Sequence, residues 1–199
     1  PNGTKAQIIG GGSATLVPYY ESHPIDAFKS SLNENTLIRS SKGCHTYRYL
    51  PEINKSLTKE DGFLVEYFNV TEDGNDFISS KVLTGSKFWI FEGFAKDIIG
   101  GDEKPDILVK FSCTYTPNIT GKHNFEIFAI GKSKLLIDET EVIDNWNNTS
   151  PGDAFFAHGT TSKRGGKVLK KNKTYKIEIQ YKFEGNFPAI YIGCQPPDK

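Results

Sequence analysis

From Gly62 onward the chain is built of short runs of β-branched and aromatic residues, each closed by turn-forming residues. The run Ile107-Leu108-Val109-Lys110-Phe111-Ser112-Cys113-Thr114-Tyr115-Thr116 alternates apolar and polar with period two. That period is the signature of a strand with one buried face. Further runs follow the same grammar. They are residues 62–68, 82–83, 88–91, 123–130, 134–138, 142–146, 167–169, 174–181 and 188–193. Pro117-Asn118-Ile119-Thr120-Gly121 and Glu139-Thr140-Glu141 supply turns between them. The 14 Phe and 9 Tyr favour strands over helices. Many short strands at this spacing predict a mainly β sandwich or barrel.

The first part of the chain obeys a different pattern. Ala6-Gln7-Ile8-Ile9 is a short apolar strand, and it runs into Gly10-Gly11-Gly12-Ser13. Consecutive glycines let the backbone bend sharply and approach a ligand or another chain segment closely. Pro24 suits a first helical turn, and Ile25, Phe28 and Leu32 fall on one helical face. Thr36-Leu37-Ile38 then reads as a second strand. Strand, helix, strand is a βαβ fragment, which is too small to bury a core of its own and calls for a larger partner sheet. Residues 54–61 are polar and charged and read as a linker, and Pro196-Pro197 as a stiff exit linker. The expected organisation is therefore an α/β segment over 1–57, a β domain over 58–195 and an exit over 196–199. Met is absent, as expected of an internal or excised segment.

Charge narrows the classes of partner. The net charge of +0 lacks the dense cationic face that nucleic acid binding requires. The one basic cluster, Lys163-Arg164 with Lys167, Lys170, Lys171 and Lys173, reads as a solvated edge strand. No apolar run reaches the length of a membrane span. Cys44, Cys113 and Cys194 are too far apart for a metal-ligand spacing and read as free thiols. No metal and no cofactor is expected. Glycosylation sequons begin at Asn2, Asn54, Asn69, Asn118, Asn147, Asn148 and Asn172, a density that favours a secreted or cell-surface parent over a cytoplasmic one.

Two resemblances sharpen this reading. Residues 62–69 and 117–125 resemble the PA14 domain, a β-sandwich or barrel module. So do, more specifically, Lys134-Leu135-Leu136-Ile137-Asp138 with Val142-Ile143-Asp144-Asn145-Trp146, and the closing pattern from Leu169 to Gly193. The opening segment is similar to family 3 glycoside hydrolases of the β-glucosidase type. The similarity lies in Pro1-Asn2-Gly3, residues 10–20, Pro24-Ile25-Asp26-Ala27-Phe28, Gly43-Cys44-His45 and Leu50-Pro51-Glu52. Fungal members of that family carry a PA14 domain inserted in their second, α/β-sandwich domain, which is the order found here.

The resemblance implies a segment of a retaining β-glucosidase acting on terminal β-D-glucosyl residues. Such enzymes need two carboxyl groups flanking the scissile bond. The family's nucleophile lies in a Ser-Asp-Trp motif that this sequence lacks, and its acid/base Glu follows the insertion, so no catalytic residue is expected here. Candidate carboxylate pairs such as Asp138 with Asp144, or Glu126 with Glu178, read as solvated strand faces. What the resemblance leaves to this segment is contact with carbohydrate. Ser13 would reach the sugar in the reacting subsite. In residues 145–156, Phe155 or Phe156 with Asp153 would wall the aglycone side, while Trp146 is expected more in the β core than in that wall. The partners implied are a β-glucoside and the remaining domains of the parent, with homo-oligomerisation left open. The rival readings are a stand-alone adhesin-like PA14 lectin and a structural or dimerisation module. Adhesin-type lectins of this class chelate Ca²⁺ through an adjacent Asp-Asp pair, which is absent from this sequence. The oxygen-rich grouping of Asp144, Asn145, Asn147 and Asp153 would be only a partial substitute.

Overall fold

The computed structural model describes residues 3–4, 16–41, 43–59, 62–89, 106–185 and 187–197. The chain divides into two compact units, Pro1–Arg48 and Tyr49–Lys199. The described part of the first unit holds one helix, Pro24–Ser31, started by its proline and free of buried residues. Phe28, on the apolar face expected from the sequence, is 59% exposed. Thr36, Leu37 and Ile38 form no strand, and Leu37 stands exposed. Among the described residues of this unit no strand lies beside them to complete a ladder. The glycine-rich turn with Ser13, and the strand before it, lie outside the described residues.

Among the described residues, the second unit carries ten strands in two antiparallel sheets. These are β1 (Gly62–Thr71), β2 (Gly74–Thr84), β3 (Lys87–Phe88), β4 (Ile107–Tyr115) and β5 (Gly121–Ala129). They continue as β6 (Gly131–Ile137), β7 (Thr140–Asn145), β8 (Lys163–Leu169), β9 (Tyr175–Phe183) and β10 (Ile190–Gln195). One sheet runs β2-β1-β4-β9-β6-β7 and the other β3-β10-β5-β8. Alternate residues of both sheets meet in a single core. Phe63, Val65, Tyr67, Val109, Phe111, Ile177, Ile179 and Tyr181 come from the larger sheet, and Phe125, Ile127, Ile190 and Ile192 from the smaller. The period-two pattern of β4 is the sequence image of that packing. The lysine-rich β8 is an edge strand of the smaller sheet, where exposed cations discourage further pairing.

Two local departures from the sequence reading follow from backbone chemistry. The β6–β7 turn falls on Asp138 and Glu139, both at positive φ, one residue ahead of the expected turn. This primed geometry matches the twist of the flanking strands. The Asp138 carboxylate accepts from the backbone N–H of Lys176 at 2.9 Å, and so compensates for a turn without glycine. The polar stretch after Asn54 is no free linker. Asn54 caps a 3₁₀ turn at Lys55–Leu57, and Thr58 bridges to Tyr115 at the end of β4. Ile53 already lies in the core and Leu50 is buried, both ahead of the boundary expected at 57. Cys113 and Cys194 are buried cysteines outside any disulfide, and Cys44 is an exposed one.

His123 sits on β5 with no exposed surface. Its Nδ1 lies 3.1 Å from the carbonyl of Gly121, and its Nε2 has no hydrogen-bond partner among the described residues. Burial holds its pKa below the ordinary 6.5, against a smaller opposing effect of that carbonyl. Above the unfolded pKa both states are neutral. Below it the unfolded chain takes up a proton that the folded chain resists, so this contribution to stability is lost as the pH falls. The melting temperature should therefore drop between pH 7 and pH 5. His123→Gln should flatten that drop in thermal unfolding, and an equal drop in both proteins would exclude His123 as its source.

Candidate functional site

The end of the sandwich where β5 finishes is rich in aromatic side chains. β5 first alternates, with His123 and Phe125 buried and Lys122 and Asn124 exposed. From Phe125 to Ile130 every residue is buried. A strand buried on both faces needs a cover on its outer side, and two chain segments provide one.

The first cover is a strap of residues 49–53 crossing the outer face of β5 and β10. Glu52 bridges to Gly193, and the N–H of Cys194 donates to the carbonyl of Pro51 at 2.8 Å. A Cβ on Gly193 would lie 2.7 Å from the carbonyl oxygen of Leu50, so this crossing requires glycine. Ser86 locks the strap's far end. Its hydroxyl accepts from the N–H of Ile53 at 2.9 Å and donates to the carbonyl of Ile192 at 2.7 Å. Tyr191 donates its hydroxyl to the carbonyl of Leu50 at 2.7 Å. Burial, then the Glu52 and Glu126 carboxylates, push the Tyr191 hydroxyl up to about 12, which keeps it a neutral donor.

The second cover is a pinched loop between β7 and β8. Its neck is closed by a bridge from Pro151 to Thr160 and by the N–H of Gly152 donating to the carbonyl of Gly159 at 2.9 Å. Gly152 has no room for a side chain, since a Cβ there would lie 2.5 Å from the Thr161 nitrogen. Below the neck, the Asn145 amide donates to the hydroxyls of Ser133 and Thr160, each at 3.0 Å. At the tip, Phe155, Phe156 and Ala157 all take positive φ, at 50°, 59° and 65°. One left-handed turn built from three consecutive non-glycine residues is a costly conformation. Strain of this kind persists only where packing over-determines it, and it clusters at ligand-contacting sites.

The turn splits its two phenylalanines. Phe155 is buried, with ring centroids 5.4 Å from Phe128 and 5.5 Å from Trp89. Phe156 is 77% exposed and stands edge-on to Trp89 at 5.5 Å. One ring of the pair is thus packed inside and the other stands in solvent. An open cavity of about 200 Å³ lies among Tyr49, Lys87, Trp89, Phe128, Phe155 and Tyr191. Polar groups are few and sit at its edge. The Tyr49 hydroxyl faces Asp153 at 3.4 Å, and the Lys87 ammonium lies 5.7 Å from the Trp89 ring centre.

Trp146 belongs to neither the core nor this cavity. It is half-buried beyond β7, with the Lys134 ammonium 5.5 Å over its ring. The period-two register explains the swap, because Asn145 takes the inward position and is fully buried. The aromatic partner of the loop is Trp89, which sequence reading placed only in a strand. Asp144 is committed locally. Its carboxylate accepts from the N–H groups of Asn147 and Trp146 and from the Asn147 side chain, which hold its pKa below the ordinary value. Asn145 turns away from this pair, toward Ser133 and Thr160. Glu126 is likewise not on a solvated face. It has no exposed surface, and its Oε1 accepts from Arg164 Nε at 2.9 Å. The sequence signal for this is the apolar run Ile127 to Ile130 that follows it without alternation, which marks a strand covered on both sides.

Comparison with known proteins agrees with this architecture. Residues 91–186 match the PA14 domain family. Over 184 residues, 91% of this chain, the sequence is 32% identical to a probable β-glucosidase I of Aspergillus terreus, of which it covers 22%. It is 26% identical over 209 residues to a β-glucosidase of Rhizobium radiobacter, covering 99% of this chain and 24% of that protein. The chain thus spans under a quarter of the length of these relatives. Among solved structures, a β-glucosidase of Kluyveromyces marxianus superposes on 100% of this chain with a TM-score of 0.71 at 19% identity, over 25% of its own length. A GH31 α-xylosidase of Xanthomonas citri superposes on 76% of this chain, and 16% of its own, with a TM-score of 0.57 at 14% identity. These two likenesses show the shared fold.

The strain and the exposure of Phe156 can be separated by substitution. Phe156→Gly relieves one left-handed residue and should raise stability by about 1 kcal/mol. Phe155→Ala removes a buried ring and should lower it by about 3 kcal/mol. Denaturant unfolding reads both, and a loss of stability in Phe156→Gly would mean that the exposed ring supports the fold.

Proposed function

We infer, from the PA14 domain that this chain carries and its relatedness to β-glucosidases, that it is part of a retaining β-glucosidase of glycoside hydrolase family 3. In this reading the PA14 module does no bond chemistry. The nucleophilic Asp and the acid/base Glu come from the rest of the parent enzyme. The module covers the aglycone side of their pocket with its aromatic end.

The observation that carries the reading is Phe156, a large ring held out to solvent on a strained turn beside Trp89. Aromatic faces pack against the C–H faces of sugar rings and against aryl groups, while a few polar groups fix orientation. Asp153, at the start of the turn, and the Tyr49 hydroxyl supply those polar groups. Ser13 is proposed to contact the glucosyl unit itself, and lies outside the described residues. Trp89, not Trp146, is the indole of this wall, since Trp146 is half-buried under Lys134.

The first unit fits a piece of a larger α/β domain. Val17, Tyr19, Tyr20 and Leu37 are exposed there alongside Phe28, and an adjoining sheet would bury them. The module boundaries are proposed at 58 and 195, with the strap of residues 49–53 and the 3₁₀ turn after it folded onto the module. A secreted or cell-surface parent fits Asn118 and Asn172, which are exposed on loops at the opposite end from the aromatic turn. No described helix is long and apolar enough to cross a membrane.

Two assays test the proposal. The 199-residue chain alone should not hydrolyse aryl β-glucosides, and measurable turnover would place catalytic groups inside it. In the enzyme that carries the chain, Phe156→Ala should change the ratio of kcat/KM between an aryl and a glucosyl aglycone by about 2- to 10-fold. That is the worth of one aromatic contact. An unchanged ratio would remove the turn from the substrate wall.

A further inference from the structure

Glu126 is a carboxylate with no exposed surface on the outer face of a β-sheet, and neither the core nor the aromatic cavity contains it. A buried charge is retained at a cost unless its partners are well placed. On β5 it stands between Arg164 of β8 and Gly193 of β10. Its Oε1 accepts from Arg164 Nε at 2.9 Å, and its Oε2 accepts from the backbone N–H of Leu50. Arg164 is 54% exposed, so the ion pair faces water and is a weak reason to keep the charge. The bond to Leu50 is the stronger reason. Leu50 is buried on the strap, away from any strand ladder, and its N–H would otherwise be left without a partner.

The two peptide groups that flank the Leu50 Cα are each held. Glu126 takes the N–H of Leu50 and the Tyr191 hydroxyl holds its carbonyl, while Gly193 leaves the space in which it lies. The residue just before it is Tyr49. The Tyr49 ring lies 4.4 Å from Phe128, and its hydroxyl points to Asp153, the residue that opens the left-handed turn. We propose that Glu126 is a positioning residue for the aromatic site. By gripping the Leu50 peptide from beneath, it sets the Tyr49 ring as one wall of the cavity and aims its hydroxyl at Asp153. Its bearing on substrate rests on the function proposed above, but the grip itself does not.

The grip depends on an acceptor at the right reach, which separates it from a charge effect. Glu126→Gln keeps an acceptor oxygen at the same distance. Glu126→Asp keeps the charge and falls one methylene short. Tyr191→Phe keeps the ring stacked on Phe128 and frees the Leu50 carbonyl. With 3-fluorotyrosine at position 49 of the 199-residue chain, ¹⁹F NMR should give one sharp resonance in the parent chain and in Glu126→Gln. Glu126→Asp and Tyr191→Phe should give a displaced or split resonance while the β-sheet circular dichroism signal persists. Should Glu126→Asp fail to fold, Tyr191→Phe carries the test. An unmoved Tyr49 resonance in folded Tyr191→Phe and Glu126→Asp would overturn the proposal, as would Glu126→Gln disturbing it as much as Glu126→Asp. In the whole enzyme, Glu126→Asp should also shift the aglycone kcat/KM ratio twofold or more. A moved Tyr49 with an unmoved ratio would uphold the grip and count against the substrate wall instead.

Discussion

The two faces of β5 carry different obligations, and most of the second unit follows from them. Phe125, Ile127 and Ala129 point into the core between the sheets, where rings from β1, β4 and β9 meet them. Glu126 and Phe128 point the other way, on a face that water would otherwise reach. A sheet with only one covered face would carry small polar groups there. Here the outer face carries an aromatic ring and a carboxylate, so the chain must bring covering segments of its own. The strap and the pinched loop are those segments, and the aromatic end of the sandwich is where they converge.

Covering a sheet with irregular backbone raises the question of where its hydrogen bonds go. The strap answers with specific partners: Glu126 and Tyr191 for Leu50, Cys194 for Pro51, Ser86 for Ile53. The loop answers with a closed neck and with the Asn145, Ser133 and Thr160 cluster below it. Rigid roots of this kind let the tip hold an unfavourable conformation. The left-handed turn buries Phe155 in the satellite cluster and leaves Phe156 projecting, a division that an ordinary helical turn would place on other faces.

The strands were legible because β-branched and aromatic residues alternate along them, and β4 and β9 fall where that alternation predicts. The failures have physical causes. Thr36, Leu37 and Ile38 have the composition of a strand, but a strand exists only when something pairs with it. Trp146 reads as core by hydrophobicity, yet register hands the inward position to its neighbour Asn145, whose amide finds buried partners. Glu126 reads as a solvated charge because composition cannot show that a strap lies over it. The run of apolar residues that follows it was the available sign. The left-handed turn left no mark, since Phe and Ala disfavour positive φ and tertiary packing alone imposes it.

In the proposed function, the end of this sandwich marked by Trp89 and the turn at Phe155 and Phe156 faces the aglycone of a β-glucoside. A photoreactive aryl β-glucoside bound to the whole enzyme and irradiated would test it most directly, with the labelled peptides mapped by mass spectrometry. Label is expected within residues 146–162 or on Trp89. Label on residues 116–120 and 170–174, the loops at the opposite end of β5 tied together through Pro117 and Asn172, would contradict it.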